Sequence, residues 1–168
     1  EELTTVLLKG DWLGFDGMAT GHHACNAFAA DMGELWTVRY ASLMAVGVRW
    51  PSVLEILHTV MARQAARERH KALSMHSLSA DGKVAALLCR WAEEFEQCGL
   101  RNDRITLPAT RAEIGGHVGL RLESVSRAMS RLERERLIRF GHRNRREIEI
   151  PSLPALRHFV QKLAEARR

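Results

Sequence analysis

The chain has 168 residues, 46% of them apolar and 27% charged, and a formal net charge of +5. That composition excludes a disordered tail or fibrous repeat and fits one large or two small folded domains. No apolar run approaches the roughly 20 residues of a bilayer span, and "EELTTVLLKG" has no basic flank or cleavage motif, so a non-membrane, cytoplasmic protein is expected.

Residues 1–49 are short segments broken by glycine. Val6–Leu8 and Leu35–Tyr40 have strand-like composition, with Gly10, Gly14, Gly17 and Gly21 at turns. So few short strands cannot close an all-β core. This block is expected to be the tail of a larger β domain whose beginning lies before residue 1.

The next segment opens at "WPS", where Pro51 suits a first helical turn. Leu54, Leu57, Met61 and Ala65 recur every three or four positions, with no proline or glycine from Ser52 to Ala80. The spacing predicts one helix of about 25 residues, whose apolar line is either a dimer seam or a face packed on its own domain. Glu68 falls on the same line, or else points to solvent beside Arg67 and Arg69. A second helix follows in "SLSADGKVAALLCRWAEEFEQCG", with Ser79 or Asp81 near its start and Gly99 past its end.

The remainder is basic: residues 101–168 hold 16 Lys and Arg against 8 Asp and Glu, whereas residues 1–100 hold 9 against 12. Such asymmetry fits a polyanionic partner or a solvated surface, and charge alone does not choose. "RITL" predicts a strand. Thr110 with Glu113 three residues on forms a capping box for a short helix that Gly119 ends. In "RLESVSRAMSRLERERLI", Leu122, Val125, Met129 and Leu132 give a second amphipathic helix. "LIRF", "GHRNRR" and "EIEI" predict a hairpin with a basic tip, Pro151 stops it, and "LPALRHFVQKLAEARR" is a closing helix.

Two helices joined by a tight glycine turn make a helix-turn-helix, and the following hairpin makes it winged. Ile114, Val118, Leu120 and Val125 are the expected buried positions, with Gly115 removing a side chain where the helices approach. The first turn of the second helix then faces a major groove. There Arg127 suits guanine, Glu123 a cytosine amino group and Ser126 either partner. Thr110, Arg111, Arg121 and Ser124, with Arg143, Arg145 and Arg146 at the hairpin tip, suit phosphate oxygens. Without DNA, Glu123 and Arg127 could instead form an i,i+4 surface ion pair.

At these residues the sequence resembles the CRP/FNR bacterial transcription regulators. "TRAEIGGHVGLRLESVSRAMSRLERERLI", from Thr110 to Ile138, is similar to their helix-turn-helix signature, including the Glu-x-x-Ser-Arg core at Glu123, Ser126 and Arg127. Upstream, "GDWLGF" and "GHH" resemble the FNR branch's β-roll, and "WPSVLEIL" the start of its dimerisation helix. The resemblance implies an α+β fold: a partial β-roll of the cyclic-nucleotide-binding type over residues 1–49, a dimerisation helix over residues 50–78, and a winged helix-turn-helix over residues 79–168. It implies a homodimer on palindromic double-stranded DNA with TTGAT-type half-sites, in contact with RNA polymerase. Leu54, Leu57, Met61, Ala65 and Glu68 would line the dimer seam. The FNR branch holds an iron–sulfur cluster with N-terminal cysteines and one in a late β-roll strand. The resemblance puts Trp36 at that late position, with Cys25 eleven residues early, so no cofactor is expected in this chain. The phosphate cassette of the cyclic-nucleotide branch lacks its arginine in "GDWLGFDGMATGHHACNAF".

Other chemistry finds little footing. His22–His23 has no third ligand at a fixed spacing, and Glu93, Glu94 and Glu96 read as a solvated helix face. Cys25, Cys89 and Cys98 lack CxxC spacing and fit idle thiols in a reducing compartment. No nucleophile elbow or phosphate loop is present, so no enzyme is expected. The competing reading is an interaction domain whose winged helix binds protein, with basic residues that serve solubility.

Overall fold

The structure, a computed structural model, describes residues 5–29, 32–141 and 146–166, with the helical backbone alone at residues 70–77. It divides into two compact units, Asp11–Ala72 and a second made of Glu1–Gly10 with Leu73–Arg168.

In the unit Asp11–Ala72, α1 (Gly17–Thr20) is a single turn, followed by α2 (Tyr40–Arg49) and α3 (Pro51–Ser77), which continues into the other unit. Asp16 ties the loop after α1: its carboxylate accepts from the Ala24 amide at 2.6 Å and meets His23 Nδ1 at 3.2 Å. The expected strands Val6–Leu8 and Leu35–Tyr40 do not form. Among the described residues no strand precedes Arg104, and Tyr40 begins α2. An isolated strand leaves its backbone groups unpaired, and residues 6–8 and 35–39 are irregular.

The sequence expectation for α3 holds in start and length, from Pro51 through 27 residues. Its apolar line is not uniform. Leu57 is only 3% exposed within the single chain, and Leu54 lies over Gly47 of α2, where a Cβ would collide with its side chain. Leu54 itself is half-buried. Met61 is half-buried, and Ala65 and Glu68 are exposed.

The other unit is organised around α4 (Ala80–Gln97), α5 (Arg111–Val118), α6 (Leu122–Arg134) and α7 (Leu153–Glu165). Ser79 caps α4 by accepting from the Gly82 amide. The buried side of α4 carries Val84, Leu87, Leu88 and Trp91, and it meets Ile114, Val125, Met129, Leu132 and Leu156 in one apolar core. Burying each large side chain there stabilises the fold by about 1.5–3 kcal/mol. Strands β1 (Arg104–Thr106), β2 (Arg139–Phe140) and β3 (Glu147–Glu149) form an antiparallel sheet in the order β1-β3-β2. The β2–β3 hairpin was legible in the sequence; its pairing to β1 through Ile105 and Ile148 was not.

Candidate nucleic-acid interface

Helix α5 begins as its sequence dictates. The Thr110 hydroxyl accepts from the Glu113 amide, and the Glu113 carboxylate accepts from the Thr110 amide at 2.6 Å. Those bonds to Thr110 hold the Glu113 carboxyl below its ordinary range. Gly119 (φ +66°) ends the helix in the left-handed region, and its amide bonds back to carbonyls of α5. Gly115 lies against the turn: a Cβ there would sit 2.5 Å from the Leu120 carbonyl oxygen, while the Leu120 amide donates to the Gly115 carbonyl at 2.8 Å. The absent side chain is therefore needed by the turn backbone itself.

From α4, three side chains reach the helix-turn-helix. Lys83 Nζ donates to the Val118 carbonyl at 3.2 Å, where α5 presents its negative end. An Arg90 guanidinium nitrogen lies 2.8 Å from His117 Nε2, and since arginine only donates, Nε2 is the acceptor there. His117 is 7% exposed. Asp81 accepts from Arg131 of α6 at 2.8 Å, and Arg131 also meets Glu135 at 3.0 Å.

Helix α6 separates two kinds of residue. Val125, Ala128, Met129 and Leu132 are buried, whereas Arg121, Glu123 and Arg127 are exposed and Ser124 and Ser126 half-buried. Leu122, expected with the apolar face, is 47% exposed because it stands in the first turn, outside the packed stripe. Among the described residues no ion pair joins Glu123 to Arg127; Arg127 instead donates to Ser124 Oγ at 3.3 Å. Unlike α5, α6 has no side-chain cap, since its N-cap is Arg121. The Ser124 amide already donates to the Arg121 carbonyl at 3.0 Å, so the Leu122 and Glu123 amides are the ones left for an outside acceptor, and the adjoining guanidiniums complement an anion.

The wing lies beside the start of α5. The Arg111 guanidinium carbon is 5.3 Å from the centre of the Phe140 ring in β2, and Arg146 acts on Glu113 through its charge. Arg146 is exposed, while Arg143 and Arg145 lie outside the described residues.

Among the described residues no group of three or more His, Cys, Asp or Glu converges on one point. An iron–sulfur cluster needs thiolates, and the residues present do not fit one. Burial, with the Glu93 charge, pushes the Cys89 thiol up to about 12, Cys98 donates to the Lys9 carbonyl, and the exposed Trp36 offers no ligand. Cys25 is exposed.

An uncapped, basic helix end presented by two packed helices beside a three-stranded wing defines a winged helix-turn-helix. Residues 82–159 match the Crp-like helix-turn-helix domain. The chain is 30% identical over 159 residues to the transcriptional regulatory protein btr of Bordetella pertussis, covering 95% of this chain and 64% of that protein. It is 25% identical over 138 residues to the fumarate and nitrate reduction regulatory protein of Escherichia coli, covering 82% and 55% respectively. Among solved structures, FixK2 from Bradyrhizobium japonicum aligns with a TM-score of 0.62 and 26% identity, over 72% of this chain and 58% of that one. A CRP-family transcriptional regulator from Thermus thermophilus shares the fold, with a TM-score of 0.53, 21% identity and coverage of 68% and 57%. The chain spans less than two thirds of the length of these curated relatives. No helix among the described residues is long and apolar enough to cross a membrane.

Proposed function

We propose that the chain regulates transcription in the cytoplasm, binding palindromic DNA as a homodimer with TTGAT-like half-sites. The observation that carries this reading is the open first turn of α6. Glu123 and Arg127 are exposed and unpaired with each other, and the helix that bears them is anchored on its opposite face. In a major groove Arg127 donates to guanine, Glu123 accepts from a cytosine amino group and Ser126 bonds either partner. Arg121, Ser124 and the uncapped amides meet phosphate on one flank; Arg111, Arg146, Arg143 and Arg145 meet it on the other. Thr110 serves first as the cap of α5, and its hydroxyl leaves the Glu113 carboxylate to donate to phosphate.

Palindromic DNA calls for a two-fold axis, and α3 supplies the segment for it, with Met61, Ala65 and Glu68 on the line open to a second copy. Residues 1–49 then belong to the sensor part, residues 50–78 to the dimer helix and residues 79–168 to the DNA-binding part. RNA polymerase is the further partner that the resemblance to CRP/FNR regulators implies. Selection of bound sequences from a random pool of duplex DNA tests the proposal. Enrichment of an inverted repeat with TTGAT-like halves is expected, and recovery of no preferred sequence would overturn it.

A further inference from the structure

We infer that Phe140 is a positioning residue: its ring holds the Arg111 guanidinium at the edge of the wing, where it contacts a DNA phosphate. The inference rests on the DNA-binding reading above. Three observations meet at this place. Phe140 is half-buried and packed on the apolar core, so its ring is a fixed surface and not a freely rotating side chain. The Arg111 guanidinium carbon lies over that ring at 5.3 Å, within cation–π range. Arg111 has no hydrogen bond or ion pair to a carboxylate among the described residues, and the nearest acid in its own helix turn, Glu113, is bonded to Thr110.

A contact through the ring face consumes none of the five guanidinium N–H donors. The stack therefore fixes the position of the cation while leaving its hydrogen-bonding edge for an anion. An arginine at the first position of a helix would otherwise sample many rotamers, and ordering it at the moment of binding costs affinity. Phe140 belongs to β2 and Arg111 to α5, so the contact also sets the wing and the first helix of the helix-turn-helix at one spacing.

The test measures binding of the chain to a mixed-sequence DNA duplex over a salt series, because a phosphate contact is blind to sequence. Arg111→Ala is expected to lower the salt slope by about 1. Phe140→Leu, which removes the ring and keeps an apolar side chain, is expected to weaken binding about two- to fivefold and to move the slope the same way. Phe140→Tyr, which keeps the ring, should restore wild-type values, and Phe140→Leu should have no added effect once Arg111 is alanine. A second measurement needs no destabilised variant: in the wild-type protein the Arg111 side-chain protons should be shifted upfield by the ring current. Equal weakening by Phe140→Leu with and without Arg111, an unmoved salt slope, or unshifted Arg111 protons would overturn the inference alone. Absence of any duplex binding by the wild-type chain would overturn it together with the DNA-binding reading.

Discussion

Gly115→Ala separates two opposing effects that the structure lets one weigh. Within a helix, alanine is favoured over glycine by about 0.8–1.0 kcal/mol, so propensity alone predicts a gain. Position 115, however, faces the turn, where the new Cβ would sit 2.5 Å from the Leu120 carbonyl oxygen, against the 3.4 Å at which ordinary contact begins. The turn backbone must retreat by about 0.9 Å, and it cannot do so freely because the Leu120 amide is bonded to the Gly115 carbonyl. Forced overpacking of this kind costs about 1–3 kcal/mol. The net expectation is a loss of about 1–2 kcal/mol, which lowers the melting temperature by roughly 4–8 °C for each kcal/mol in a unit of this size. Thermal melts of Gly115→Ala beside Gly116→Ala, the exposed neighbour in the same helix, provide the assay. Gly116→Ala should gain stability, and preference for the selected DNA site should fall roughly tenfold or more for Gly115→Ala alone, since α6 is re-aimed. A stabilised Gly115→Ala with unchanged preference would refute the reasoning.

Arg127→Ala should remove discrimination at one base pair per half-site, a loss of about 1–3 kcal/mol, measured by competition between duplexes that differ at each position; unchanged preference at every base would remove α6 from the groove. Thr110→Ala should destabilise by about 1 kcal/mol and raise the Glu113 titration only part of the way toward the ordinary carboxylate range, since the residue-110 amide still donates to Glu113, followed by NMR; unchanged stability would dissolve the capping argument. Glu113 and Asp103 both have folded pKa values below their unfolded ones, Asp103 at about 2 beside Arg101, so the stability they add is present above the ordinary carboxylate range and is lost as pH falls toward 2. Glu68→Ala should tighten self-association by removing two like charges near the two-fold axis, and equal dimer dissociation constants in sedimentation would count against a seam at this position.

The helix-turn-helix was largely legible because its signals are local. Thr110 and Glu113 mark one helix start, Gly119 marks its end, and the spacing of Val125, Met129 and Leu132 marks the next buried face. Helix α2 was not legible. "YASLMAVGVR" contains a glycine and β-branched residues, and its N-cap, Arg39, makes no capping bond, so propensity pointed elsewhere. The strand assigned to Leu35–Tyr40 rested on apolar composition alone, and residues 35–39 are irregular, with α2 starting at Tyr40. Contacts across long sequence separations were equally hidden. Nothing in the order of residues announces that Asp81 meets Arg131, that Arg90 meets His117, or that Arg111 finds a ring in β2. In the candidate site, the orientation of the side chains was not legible. The sequence allowed a Glu123–Arg127 pair, and only the placed side chains separate the two and turn Arg127 toward Ser124.

The division of labour along α6 bears on how such a chain changes over generations. The side chains that hold the helix in place, Val125, Ala128, Met129 and Leu132, point into the core, whereas Glu123 and Arg127 stand in solvent. Replacing an exposed side chain away from caps and ion pairs shifts stability by only about 0.5 kcal/mol. The vocabulary of the helix can thus drift while its grammar stays fixed: a descendant could acquire a new operator through one or two surface codons and inherit the scaffold unaltered. Lineages of such proteins would diverge first in the genes they address and only much later in shape.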